Sequence, residues 1–190
     1  MRIAVSGVHA IGKTSLVEWI SKNYDIKMIP EQARYHLENG FPFSEVEKHL
    51  EVFKKFQLAV LEGQYTDLKS IGEAGFVMDR TPVDSLAYVE ARLAAEKALD
   101  IPYFFSYEKE VAFIMKDAYD FIFFLPFNLE DVGAYYNPKD EFRNLNPIYM
   151  KELSDLIELN LRNHASSKVH LLPHFGSLNE RIQYIRGILG

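Results

Sequence analysis

The sequence contains no cysteine. Disulfides, thiolate zinc sites and a cysteine nucleophile are therefore excluded, and a reducing cytoplasm is the expected location. Long hydrophobic runs are also missing. The longest, Phe121 to Phe127, is strand-sized, far short of the roughly 20 residues that span a bilayer. No membrane contact is expected, and no leader either, because only Ile3 to Ser6 separate Met1-Arg2 from a glycine loop. Excess positive charge is absent too. The net charge of −6 disfavours broad nucleic-acid binding, which needs a basic surface to displace counterions. The six histidines have no zinc-ligand spacing. No repeat, low-complexity tract or linker interrupts the chain.

What remains is a chain of 190 residues, 48% apolar, which suits one α/β domain over residues 1–190. Five short apolar segments read as strands: Arg2 to Ser6, Ile26 to Ile29, Phe76 to Asp79, Phe121 to Pro126 and Val169 to Leu172. Helical stretches separate them. One runs from Lys13 to Asn23, and another from Pro30 towards the stop signal Asn39-Gly40. Ser44 to Glu47 reads as a capping box opening a long helix to about Ser70. Thr81-Pro82 starts a helix to about Leu99, and Tyr103 to Tyr119 forms the next. Asn146-Pro147 starts one reaching His164, and a second capping box, Ser177 to Glu180, opens the last. Regular alternation predicts a parallel five-stranded sheet with helices on both faces, a three-layer α/β fold.

The strongest chemical signal is Gly7-Val8-His9-Ala10-Ile11-Gly12-Lys13-Thr14, which matches G-x-x-x-x-G-K-[ST] at every fixed position. The glycines let the backbone wrap so that successive N–H groups face phosphate oxygens. The following helix N-terminus favours an anion. The Lys13 ammonium can reach β- and γ-phosphates, and the Thr14 hydroxyl can ligate Mg²⁺. Gly7, His9, Ala10, Ile11, Gly12, Lys13, Thr14 and Ser15 are thus the candidate ATP-binding residues. The motif follows a predicted strand and opens a predicted helix, the context it needs.

In open parallel sheets, ligands bind beyond the carboxyl ends of the strands. Glu31, Gln32 and Arg34 follow the second strand, and Asp79-Arg80 ends the third. Asp79 is a candidate Mg²⁺ ligand or acceptor for the proton of an attacking hydroxyl. Arg80 offers a planar fork to a phosphate or acceptor, against which stands an ordinary ion-pair reading. Glu31 and Arg34, three residues apart, are candidate acceptor contacts. Residues 129–146 are too long for a tight connection and read as a lid. They carry Lys139, Asp140 and Arg143, and Arg143 is the candidate cation for the transferring phosphoryl group. Tyr35, Phe53, Phe56, Tyr103, Phe104 and Phe105 read as core. Glu90 and Arg92 read as helix surface.

These segments together resemble a known group. Ser6 to Leu16, then Pro30-Glu31-Gln32-Ala33-Arg34, then Met78-Asp79-Arg80-Thr81-Pro82 are similar to P-loop kinases related to the ribosylnicotinamide kinase domain of bacterial NAD-biosynthesis regulators. Asp140 to Arg143 resembles that group's lid signature, and Gly176 to Arg181 its C-terminal one. Asp79-Arg80 with Asp84 to Tyr88 is also similar to thymidylate and deoxynucleoside kinases. The resemblance implies a P-loop kinase fold with a mobile lid, Mg-ATP as donor, and acceptor contacts by Glu31, Arg34 and Arg80.

The sequence lacks the D-x-x-G and N-K-x-D elements of a GTPase. It also has Asp79-Arg80 where a mechanical ATPase carries an Asp-Glu pair. The expected activity is therefore ATP-dependent phosphoryl transfer to a nucleoside, a nucleoside monophosphate or nicotinamide riboside. Lys13, Asp79, Arg80 and Arg143 are its candidate catalytic residues, and Thr14 and Asp79 its candidate metal ligands. A kinase acting on a polynucleotide or a modified base in DNA is one alternative, disfavoured by the acidic charge. A non-catalytic ATP sensor is the other.

Overall fold

The computed structural model describes residues 1–96, 100–129, 146–173 and 177–190. Five parallel strands form one sheet: β1 (Arg2–Ser6), β2 (Lys27–Ile29), β3 (Phe76–Asp79), β4 (Phe121–Phe124) and β5 (Val169–Leu171). Their spatial order is β2-β3-β1-β4-β5, and all four pairings are parallel, as the alternation predicted. Val5 pairs with Asp79 and Ser6 with Phe124. The ends of β1, β3 and β4 therefore lie level, side by side.

Among the described residues the helices are α1 (Lys13–Tyr24), α2 (Gln32–Glu38), α3 (Phe43–Lys48), α4 (Leu50–Ile71), α5 (Pro82–Ala95), α6 (Ile101–Ala118), α7 (Pro147–Ala165) and α8 (Leu178–Leu189). Helix α1 packs on β1, β2 and β3 and against α8, while α4, α5, α6 and α7 pack on one another as the opposite layer. The core between them is dominated by Ile3, Val5, Leu16, Val77, Met78, Leu86, Ile122, Phe123 and Phe124, all fully buried. Ile3, Ala4 and Val5 of β1 are apolar on both faces, because both faces are covered by helices.

Several helix starts follow their sequence signals. Asn146 Oδ1 accepts the N–H groups of Ile148 and Tyr149. Thr81 with Asp84, and Ser177 with Glu180, form reciprocal capping boxes. The expected capping box at Ser44 does not form. Pro42 is the N-cap residue, and its carbonyl accepts from Glu45 and Val46, so Ser44 lies inside the helix. Proline's fixed φ and missing N–H favour this early start. The long helix expected there is two helices, because His49 is extended at φ −118°, ψ 113°. No glycine or proline marks that break. Pro30 likewise precedes α2 rather than entering it, with Glu31 as N-cap. Helix α6 starts two residues earlier than expected, since Asp100 accepts from the Tyr103 N–H.

Candidate active site

The expected phosphate loop joins β1 to α1, and its backbone explains its glycines. Gly7 has φ +140°, and a Cβ there would sit 2.6 Å from the Leu125 carbonyl oxygen. Gly12, the N-cap of α1, has φ 87°. Ala10 is also left-handed, at φ 57°. Alternating handedness of this kind turns successive N–H groups inward. His9, Ala10, Gly12, Lys13, Thr14 and Ser15 line a cavity of about 120 Å³, together with Glu31 and Arg80. Gly7 and Ile11 stand behind it. The Gly7 N–H donates to Asp84 Oδ1 at 2.9 Å, and the Ile11 side chain is fully buried.

Asp84, which the sequence offers only as part of a stretch resembling other kinases and with no role of its own, anchors the loop. Its carboxylate accepts from Ser6 Oγ (2.8 Å), Thr81 Oγ1 (2.8 Å), Thr81 N–H (2.7 Å) and the Gly7 N–H. One fully buried carboxylate thus binds the end of β1, the loop and the first turn of α5 together. The only sequence trace of this role is its place in the capping box at Thr81.

Four ionisable groups converge at the loop. Lys13 is almost fully buried, and its ammonium donates to the Val8 carbonyl at 2.6 Å. Burial, with Arg80 close by, pushes it down to about 8. Asp79, also buried, accepts the Thr14 hydroxyl on Oδ2 at 2.7 Å. Its other oxygen, Oδ1, is buried without a hydrogen-bond partner. Burial raises its carboxyl above the usual range, although Lys13 opposes the shift. Glu31 is different. Burial alone would raise it, but the Arg80 and Lys13 charges outweigh burial and hold it at about 2.

Arg80 is held from several sides. Its Nε donates to Glu31 Oε1 at 2.6 Å, its Nη1 to the Gly7 carbonyl at 3.3 Å, and it lies over the Tyr88 ring. Its backbone is left-handed, at φ 77°, while its N–H continues the sheet to the Val5 carbonyl. Such a conformation costs of order 1–3 kcal/mol in a residue with a side chain. It directs the guanidinium back across the strand ends. Both sequence readings of Arg80 therefore describe the same side chain, since its ion pair lies inside the candidate site.

A second cavity, of about 540 Å³, opens beside the first. His9, Glu31 and Arg80 line both. Arg34 also lines the larger cavity, as expected for an acceptor contact, and its outer face pairs loosely with Glu38. Phe53 and Phe56, expected in the core, pack into the core and form the apolar wall, alongside the buried Gln57. Arg92, expected on the surface, instead faces this cavity and pairs with Glu96 at 2.7 Å. Tyr35 and Phe105, expected in the core, are exposed, because α2 and α6 turn those faces outward. Sequence reasoning assigned no role to Tyr88, Ser85 or Gln57, which all line the larger cavity. Tyr88 bonds His9 Nδ1 through its hydroxyl at 2.8 Å, joining the loop to the cavity wall. No periodicity signals this, because His9 and Tyr88 are brought together only by packing.

Lys139, Asp140 and Arg143 lie outside the described residues, as does the expected lid except for its ends, Leu129 and Asn146. Among the described residues no helix is long and apolar enough to cross a membrane. No group of three metal-ligating acidic or histidine side chains occurs among them either. A divalent ion would instead need the phosphates as ligands. Thr14 and Asp79 fit that arrangement, because Asp79 Oδ1 is a buried oxygen in want of a partner.

Solved structures share this fold. A deoxyadenosine kinase from M. mycoides with bound dATP superimposes with a TM-score of 0.79 at 17% identity, over 100% of this chain and 99% of that one. Thymidylate kinase from Candida albicans gives 0.72 at 14% identity, over 98% and 89%. NadR protein in complex with NR gives 0.70 at 20% identity, over 98% of this chain and 50% of that one. The chain thus has the P-loop fold of nucleoside and nucleotide kinases. No curated protein sequence matches it. A family model described as an AAA domain matches residues 2–181, so the chain belongs to the AAA domain family.

Proposed function

We propose that the protein transfers the γ-phosphoryl group of ATP to a hydroxyl of a small, nucleoside-like acceptor. One observation carries this reading. An ionised carboxylate, Glu31, stands where the phosphate cavity meets a larger, mostly apolar one. Next to Glu31 an anionic group meets like charge and a neutral hydroxyl does not, although Arg34 and Arg92 line the same cavity. A hydroxyl needs a proton acceptor, and Glu31 provides one.

The geometry of the described residues supports the following roles. Lys13 and the inward N–H groups hold the donor phosphates. Thr14 and Asp79 would hold Mg²⁺, which when bound neutralises charge on the β- and γ-phosphates. The acceptor oxygen attacks the γ-phosphorus, its bond to the β,γ-bridging oxygen breaks, and ADP leaves. The hydroxyl proton passes to Glu31. A carboxylate near 2 is a weak base, but phosphoryl transfer has a loose transition state in which the proton leaves late. Orientation therefore matters more than base strength. Arg80 fixes Glu31 and places positive charge beside the reacting group. Arg143 is assigned the remaining phosphoryl charge on its sequence position alone.

Two carboxylates with opposite shifts divide the work. Glu31 is ionised at all working pH values and faces the acceptor. Asp79 is raised by burial, and a cation held beside it would favour its ionised form. Asp79→Asn is expected to lower kcat about a hundredfold with ATP affinity changed only severalfold; an unchanged rate would remove Asp79 from the mechanism. The overall test is labelled ATP with a panel of nucleosides, nucleoside monophosphates, nicotinamide riboside and oligonucleotides. Product from nucleosides or nicotinamide riboside supports the reading. Product from monophosphates or oligonucleotides alone overturns the acceptor assignment. Tight ATP binding without any product indicates a sensor.

A further inference from the structure

The peptide joining Ile11 to Gly12 leads into a left-handed residue, Gly12 at φ 87°. Glycine takes either sign of φ with little cost, so the peptide before it can present either its N–H or its carbonyl to a ligand, and only the N–H suits a phosphate. Arg181 bears on that choice. It is nearly fully buried, on the first turn of α8, and its Nη1 donates to the Ile11 carbonyl at 2.5 Å. In a trans peptide the carbonyl and the next N–H point opposite ways. A carbonyl held towards Arg181 therefore turns the Gly12 N–H the other way. Gly12 lines the phosphate cavity and Ile11 does not, in keeping with that orientation.

The position of Arg181 is itself fixed. The Ser177–Glu180 capping box sets the entry of α8, with Glu180 Oε2 accepting the Ser177 N–H at 3.0 Å. Helix α8 packs along α1, the helix that the loop opens. A guanidinium keeps its charge under burial, unlike an ammonium, and hydrogen bonds from charged donors are the strong ones. We propose that Arg181 is a positioning residue for the donor nucleotide, locking the Ile11–Gly12 peptide so that the loop presents a donor rather than a carbonyl oxygen to the phosphates.

This inference rests only on the donor half of the proposed function, so it is tested without any acceptor. MgADP binding is measured by calorimetry for the wild type, Arg181→Met and Arg181→Lys, at a temperature where each is folded by circular dichroism. Arg181→Met is expected to weaken MgADP about tenfold or more, and Arg181→Lys, whose shorter ammonium loses charge on burial, to recover only part of that loss. A role confined to stability would lower the melting temperature and leave the dissociation constant unchanged. Binding by Arg181→Met within twofold of wild type overturns the proposal. Should the Met variant not fold, Arg181→Leu takes its place with the same threshold. Wild type that binds no MgADP would overturn both this inference and the donor assignment. Wild type that binds MgADP but phosphorylates nothing would overturn the kinase reading alone.

Discussion

The two ends of the central strand β1 carry opposite kinds of charge. At its start, Arg2 meets Asp120 through Nη2–Oδ1 at 2.7 Å, and its N–H donates to the same carboxylate. Both side chains are about one-third exposed. At its end, five residues along, lie Lys13, Asp79 and Arg80, each less than a tenth exposed. The first pair is surface decoration of a kind worth about 1 kcal/mol or less. The second cluster takes charges out of water, keeps one carboxylate oxygen without a partner and bends an arginine backbone into the left-handed region. Packing alone gives no reason for that cost. A bound anion with its cation does, because it would supply the missing partners.

The largest break in this comparison is Lys13→Ala. It is expected to reduce turnover by about a thousandfold or more, read by labelled-ATP assay, with the fold intact by circular dichroism. Next comes Glu31→Gln. Loss of a general base lowers kcat by about 10²–10⁴-fold, while MgADP binding by calorimetry stays within severalfold. A fall in MgADP affinity as large as the fall in kcat would move Glu31 from the acceptor to the donor side.

A smaller effect should appear in pH dependence. Lys13 sits near 8 in the folded protein against an ordinary value of 10.5. Between those values the unfolded chain binds more protons than the folded one, so stability rises with pH. The cost of burying the ammonium is fully present below about 8 and relieved towards 10.5. Comparison with Lys13→Met isolates it from the titrating tyrosines. The melting temperature of wild type relative to that variant is expected to climb across this window, and a flat difference would mean that Lys13 is not depressed. The smallest effect is at the other end of the strand. Arg2→Ala is expected to cost about 1 kcal/mol or less in denaturant melts and to leave kcat unchanged.

Much of the donor side was legible in the sequence. The motif from Gly7 to Thr14 is contiguous, and each residue type answers a local demand of phosphate geometry. The sheet was legible for a similar reason, since its strands alternate with helices along the chain. Of the larger cavity only Glu31, Arg34 and Arg80 were named from the sequence as acceptor contacts. Arg92 read as surface and Phe53 as plain core, yet both line the larger cavity. Tyr88 reaches His9 across 79 residues, and Arg181 reaches Ile11 across 170. Neither contact has a local signature. The break at His49, which sets α3 apart from α4, has no glycine or proline to announce it.

The sequence by itself determined a P-loop α/β domain and where in it the candidate phosphate loop lies. Short-range backbone sterics and hydrogen bonding specify those features within a dozen residues. Only the tertiary structure decided which carboxylate faces which cavity, that Asp84 anchors the loop, and that Arg181 holds its backbone from behind. Those outcomes depend on burial and on charges brought together from distant strand ends, and neither quantity exists until the chain has packed.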